Sequence, residues 1–342
     1  MMEDFARDLA ATQASSAFSN TTFALRYGGM FAMLNQVVQH VLSEQLVHGL
    51  RACFATKADW AYAPEPAFTN AHGCEGARCY IDRELVCEHR PPRDSTTRHA
   101  GPVTITRTEH ALGRRYPGLS LAQARAVVTR WLWRLPDHVE RAVSERALRV
   151  HALPPAVVSS GDWVAVHVRW GDKIVSESVK RPIERYLGLA RAVVRRTNAT
   201  RCVVFTTDAD AAAAVLAEAR RNAGAARDPS RPILPPCTVP HGAGLVGGLP
   251  NATFLTTNRT RAENALDVLS DVALMMRGRG AVMTISSNMA EFVHFYSVAE
   301  RVLGSARARA EAFVLADADT GRIALNDSDV SGRTRALNRG TH

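Results

Sequence analysis

The stretch WVAVHVRWGDK, Trp163 to Lys173, decides the fold. Its first six residues are an apolar, β-branched run of strand length. The run then discharges His167, Arg169, Asp172 and Lys173 within seven residues. A buried strand that ends this way is expected to meet a charged ligand. The same theme recurs downstream. CVVFTT (202–207) reads as a strand followed by Asp208, Asp210 and an Ala-rich helix. AVMTI (281–285) reads as a strand followed by Ser286, Ser287, Asn288 and a helix from about Met289. Helical patterns run from about Pro182 to Arg196 and from Glu263 to Met276. Strands alternating with helices predict a parallel sheet with helices on both faces. Ligands of such sheets bind beyond the carboxyl ends of the strands, where all three polar clusters fall.

Each cluster has a ligand-binding reading and a plainer one. Arg169 offers a planar fork of donors suited to a diphosphate, with each charge-assisted bond worth roughly 1.5–3 kcal/mol. Equally, Arg169 and Asp172 could pair at the strand end. Ser286, Ser287 and Asn288 precede a helix whose first turn has free N–H groups. Any one of them would serve as a cap, and capping needs only one. Asp271 sits in the apolar helix ALDVLSDVALMM, where Asp is a poor helix former; with Asp267 one turn earlier, a solvated stripe is the alternative. Asp208 in TTDAD reads as a turn as readily as a site.

Upstream, GGMFAMLNQVVQHVL (28–42) carries the spacing of an amphipathic helix that Gly49 closes, and LRACFA (50–55) a short buried strand. Residues 63–118 are rich in Pro, Gly, Arg and Cys and are expected to be long loops with short elements. LAQARAVVTRWLWRL and PDHVERAVSERAL are helices, and Pro154-Pro155 marks a boundary.

The 342 residues, 46% apolar and 22% charged, have a globular composition with room for one large or two ordinary domains. The net charge of +9 favours phosphorylated or polyanionic partners. With no zinc-finger spacing and no aromatic-basic RNA signature, nucleic acid is not expected. No run of about 18 apolar residues occurs, so no membrane span is expected, and the N-terminal stretch has no signal-peptide core. The chain is therefore cytosolic, or it lacks a targeting segment of a longer product. Of six cysteines, Cys74, Cys79 and Cys87 cluster and can form one local disulfide; Cys53 and Cys202, in apolar runs, read as buried free thiols. No CxxC occurs and no metal site is expected. Sequons at Asn20, Asn198, Asn251, Asn258 and Asn326 lean towards a secretory compartment.

Taken together, the motifs resemble the α1,6-fucosyltransferase family, the GDP-fucose enzymes of the N-glycan core and their bacterial nodulation relatives. That family carries H-V-R-R-x-D-K, then a Glu and P-I-E-x-Y. Here HVRWGDK is followed by Glu177 and PIERY, Pro182 to Tyr186. A strand ending in T-D follows in the family, and Thr207-Asp208 matches. An Asp-bearing helix, a strand and S-S-Q come next, matched by Asp271 and Ser286-Ser287-Asn288. The glycines Gly28-Gly29 are similar to the family's Gly-rich loop. The match spans about residues 25–300. Trp170 stands where the family has a second Arg, and Asn288 where it has Gln.

The resemblance implies an α/β, GT-B-like fold with two Rossmann-like halves, each a parallel sheet flanked by helices. The halves would be residues 20–153 and 154–315, with a tail at 316–342. It implies an inverting glycosyltransferase moving fucose from GDP-fucose to a glycan or glycoprotein acceptor, with no cofactor or metal. Arg169, helped by Ser286, Ser287 and Asn288, would hold the diphosphate. His167 and Asp271 would address the guanine side, with Asp208 and Gly29 also on the donor. Glu177, with Lys173 and Asp172, would act on the acceptor hydroxyl, and Tyr186 would contact the acceptor. N-glycan modification in the Golgi or secretory lumen is the setting it implies. Protein O-fucosylation, and nucleotide-sugar binding without turnover, are the alternatives.

Overall fold

The computed structural model describes residues 1–15, 18–25, 30–56, 62–74, 76–81, 105–168, 181–206, 208–224, 234–240, 260–284, 287–304, 313–319 and 321–323. The chain divides into two compact units. The first comprises Met1–Glu140, Arg259–Leu266 and His294–Ser305; the second comprises Arg141–Asn258, Asp267–Val293 and Ala306–His342. In this division two downstream segments, Arg259–Leu266 and His294–Ser305, join the first unit.

In the first unit, β1 (Phe18–Leu25), α2 (Met30–Ser43) and β2 (Arg51–Thr56) follow α1 (Met2–Gln13). β1 and β2 pair in parallel, so β1-α2-β2 is a βαβ unit. The apolar stripe read from the sequence is the buried face of α2: Phe31, Leu34, Val37, Val38, Val41 and Leu42 are all covered. Phe5 and Leu9 of α1 are fully buried. Further α-helices follow: α3 (Pro66–His72), α4 (Ile105–Arg115), α5 (Leu121–Leu132) and α6 (Asp137–Arg149), the last of which passes into the second unit at Arg141. α5 opens with a capping box, Ser120 and Gln123 each bonding the other's backbone N–H. α4 is an 11-residue helix inside a region expected to be loops. Its sequence, ITRTEHALGRR, carries few apolar residues, and its two faces are told apart mainly by charged and polar side chains.

After α7 (Pro155–Ser160), the second unit is a six-stranded sheet. Its strands are β3 (Trp163–His167), β4 (Arg201–Phe205), β5 (Cys237–Thr238), β6 (Gly280–Met283), β7 (Val314–Asp317) and β8 (Arg322–Ile323). The order is β5-β4-β3-β6-β7-β8, parallel except for the final pair. The helices α8 (Ile183–Thr197), α9 (Ala209–Gly224), α10 (Arg261–Arg277) and α11 (Asn288–Leu303) alternate with the strands. The chain therefore winds outward from β3 to β5, then returns past β3 and winds the other way through β6 and β7. This places the topological switch point between β3 and β6.

One sheet face carries Val164, Val166, Cys202, Val204, Val282 and Ala316 into a core with Tyr186, Leu187, Ala190 and Val193 of α8. Gly280 permits this close approach, since a Cβ there would lie 2.5 Å from the Val314 carbonyl and 2.7 Å from Val193 Cγ1. Cys202 is no free thiol. It forms a disulfide with Cys237, its register partner on β5, while Cys74 and Cys79 form the local one. The first closes a 35-residue separation and pins the two-residue edge strand β5 to the sheet.

Candidate functional site

The candidate site lies at the carboxyl edge of the second unit's sheet, at the switch point. All five residues of β3 are buried, and the Val168 N–H donates to the Phe205 carbonyl at 3.0 Å, extending the ladder one residue beyond the strand. His167 is the last strand residue, 7% exposed, and pairs in register with Phe205. Side chains alternate across a strand, so His167 and Phe205 face opposite to the α8 core. Across the switch point, β6 ends at Met283 and Thr284. The Ser287 N–H donates to the Thr284 carbonyl at 2.9 Å, and the Glu291 N–H to the Ser287 carbonyl at 3.0 Å. That turn aims the amino end of α11, a positive dipole end, along the carboxyl edge of β6. Ser287 is half-buried there and Asn288 exposed.

Two residues expected at the ligand have partners within the scaffold. Tyr186 is 1% exposed, and its hydroxyl meets the Thr284 hydroxyl at 2.9 Å. It ties α8 to the residue that follows β6, with its ring buried. Burial pushes its phenol pKa up, against the opposing Thr284 hydrogen bond. Asp208 caps α9. Its Oδ1 accepts from the Ala211 N–H at 3.0 Å, and its own N–H donates to Thr206 Oγ1 at 3.1 Å.

Asp271, on α10, lies at the centre of an ion-pair cluster. Arg146 donates from Nε to Oδ1 at 2.6 Å and from its terminal amino group to Oδ2 at 2.8 Å; its other amino group pairs with Asp267 at 2.7 Å. His151 Nε2 lies 2.9 Å from Asp271 Oδ1. Burial alone would raise the Asp271 pKa, but the Arg146 charge and hydrogen bonds, with His151, hold it well below the ordinary range. An ionised carboxylate only accepts, so His151 carries its proton on Nε2. The ring of His151 lies 4.5 Å from that of Phe205. His167, Phe205, His151, Asp271 and Arg146 thus run as a contiguous set from the sheet edge into the helices. The stripe of Asp267 and Asp271 is not solvated, as one sequence reading had it. Arg146 and His151 were not foreseen, because nothing in ERALRVHAL signals a partner 120 residues away.

Gly29, Arg169, Trp170, Asp172, Lys173, Glu177 and Ser286 lie outside the described residues. Among the described residues no group of His, Cys, Asp and Glu is arranged to hold a metal ion, and no helix is long and apolar enough to cross a membrane.

No protein-family model matches the chain, and no curated protein matches it. Among solved structures it is similar to NodZ α1,6-fucosyltransferase soaked with GDP-fucose. The identity there is 12% and the TM-score 0.41, over 81% of this chain and 91% of that one. It is also similar to the fucosyltransferase NodZ from Bradyrhizobium, at 13% identity and TM-score 0.42, over 88% and 96%.

Proposed function

We propose that the chain is an inverting glycosyltransferase that moves fucose from GDP-fucose to a glycan acceptor by α1,6-type transfer. The observation that carries the reading is the switch point. The two strands flanking it, β3 and β6, lead directly into HVRWGDK and ISSN, the motifs whose chemistry suits a diphosphate. In this reading Arg169 holds the β-phosphate, with the hydroxyls of Ser286 and Ser287 and the amino end of α11 beside it. Fixed cations and N–H groups stabilise the charge that develops on the departing diphosphate. Glu177, with Lys173 and Asp172 near it, takes the proton of the attacking acceptor hydroxyl. Direct displacement then inverts the anomeric centre, with no metal in the scheme. His167 lies on the guanine side, with Gly29 completing the donor site. Asp271 acts through others: it fixes Arg146 and His151, and the His151 ring packs against Phe205 at the end of β4.

A GDP-binding titration tests the assignment. Arg169→Ala is expected to weaken GDP binding by tenfold or more; unchanged affinity overturns it. The two disulfides among the described residues suit an oxidising compartment, which agrees with a secretory setting and a glycan or glycoprotein acceptor.

Trp170 favours a second reading, a nucleotide-sugar-binding protein without turnover, because an indole replaces a cation beside the diphosphate. The active reading predicts that Trp170→Arg raises donor affinity or turnover, less so at high salt. If neither the protein nor this variant ever releases GDP from bound GDP-fucose, the binding reading replaces the catalytic one.

A further inference from the structure

The triplet Asn198-Ala199-Thr200 is a sequon, and the fold displays it at a corner of the second unit. Asn198 ends α8 in the left-handed region, at φ 52° and ψ 31°, and its N–H donates to the Val194 carbonyl at 2.8 Å. Asn and Gly enter that region more cheaply than other residues, so the cap alone accounts for an Asn here. The cap uses only its backbone. Asn198 is exposed, and among the described residues its side-chain amide makes no hydrogen bond. The rest of the triplet is held. Ala199 is buried; the Thr200 N–H donates to Asp162 Oδ1 at 3.3 Å, and its hydroxyl donates to Asp162 Oδ2. Asp162 in turn pairs with Arg279. This corner lies at the amino edge of the sheet, where β4 begins at Arg201. The candidate donor site is at the opposite edge, and the length of β4 alone separates the two by about 13 Å. Of the other sequons, Asn20 lies within the paired strand β1, and Asn251, Asn258 and Asn326 lie outside the described residues.

We infer that Asn198 is a site of N-glycosylation, carrying an oligosaccharide transferred from a lipid diphosphate. Asn198 Nδ2 forms the bond to the anomeric carbon of the sugar. The bond from that carbon to the diphosphate breaks, the lipid diphosphate leaves with the electron pair, and one amide proton is released. Asp162 occupies the Thr200 hydroxyl in the folded chain, so the transfer precedes folding of this corner. The glycan stands at the far edge of the sheet and leaves the donor site open. The inference rests on the secretory setting proposed above and not on fucosyl transfer.

Mass spectrometry of the full chain, before and after treatment with a peptide N-glycosidase, tests it. Two preparations are compared, one from the natural cells and one directed into the secretory pathway of a eukaryotic host by a cleavable leader. At least half of the molecules in both are expected to carry a glycan on the Asn198 peptide. Asn198→Gly keeps the left-handed cap and loses that glycan; Thr200→Ser keeps a hydroxyl and retains it. Enzymatic removal of the glycan is expected to leave GDP affinity within twofold. A bare Asn198 in folded, leader-directed protein overturns the site. A bare Asn198 in the natural protein alone overturns the modification and traces the fault to the secretory reading rather than to the geometry. A tenfold change in GDP affinity on glycan removal overturns the placement away from the donor site. An occupied Asn198 in protein that binds no GDP upholds the site and removes the donor reading instead.

Discussion

Two polar regions of this molecule contain the same chemistry and use it differently. At Asp271, arginine, histidine and carboxylates meet inside the second unit, with opposite charges within about 3 Å of one another. At a cavity in the first unit, Arg78, Arg134, His72, His138 and Asp137 line a void of about 750 Å³. In the first region the charges answer each other, so their geometry serves the fold. In the second they line a space large enough for a small molecule. The sheet edge lies between these cases: Asp208 is consumed by a cap, whereas the residues after His167 are those to which we assign the diphosphate. Residue type alone therefore does not separate a site from a support; the partners do.

The sharpest way to break this comparison is to remove one side of each arrangement. Glu177→Gln keeps shape and removes the base. Turnover should fall by about 10²–10⁴-fold, with GDP affinity and unfolding midpoint unchanged. Stopped donor-transfer assays beside denaturant curves check this, and equal turnover would reject the base role. Arg146→Ala does the reverse. It leaves two carboxylates without their cation in a largely buried place, which typically costs about 3–5 kcal/mol of stability. Urea unfolding measures it. A small loss there would show that the cluster is not the brace we describe.

The Asp271 cluster also sharpens the pH dependence of stability. The folded-state pKa of Asp271 lies well below its ordinary value, chiefly because Arg146 overcomes the cost of burial. The folded form thus holds the charge more firmly than the unfolded chain does. That contribution is fully present above the unfolded value of about 3.9 and is lost as pH falls below it towards the folded value. Asp271→Asn lacks the contribution at every pH. Wild type and variant should differ most above about pH 5 and converge in acid; a gap that stays constant to pH 2 would contradict the assignment. Removing the Cys202–Cys237 disulfide by a double Ser substitution is expected to cost about 2–4 kcal/mol, read from the same unfolding curves.

How much of this was legible in the sequence follows from the range over which each signal acts. WVAVHV, CVVF and AVM are strands because unbroken apolar runs report burial on both faces, and the structure places all three in the sheet. The amphipathic stripe at 31–46 predicted α2 because its period is local. The edge strands β5 and β8, two residues each, carry no period at all. The pairing of Cys202 with Cys237 depends on two strands being neighbours, which spacing along the chain cannot encode. The partners of Asp271 were hidden for the same reason: Arg146 reaches it only once α6 and α10 have packed. The ends of β3 and β6, to which we assign the site, were legible because polar residues close those apolar runs and because a switch point follows from strand order.

The smallest predicted effect concerns Asp208, because it belongs to both lists. As a cap its Oδ1 accepts the Ala211 N–H, and the Asp208→Ala variant loses one bond and one favourable charge at the amino end of α9. The expected cost is about 1 kcal/mol, seen as a shift of the unfolding midpoint. Asp208→Asn should recover most of it, since an amide oxygen still accepts. If capping is the whole role, GDP affinity in both variants stays at the wild-type value. If Asp208 also faces the donor, Asn would rescue stability while GDP affinity remained altered. That split, measured on one pair of variants by unfolding and by calorimetry, decides whether the carboxyl end of β4 belongs to the support or to the site.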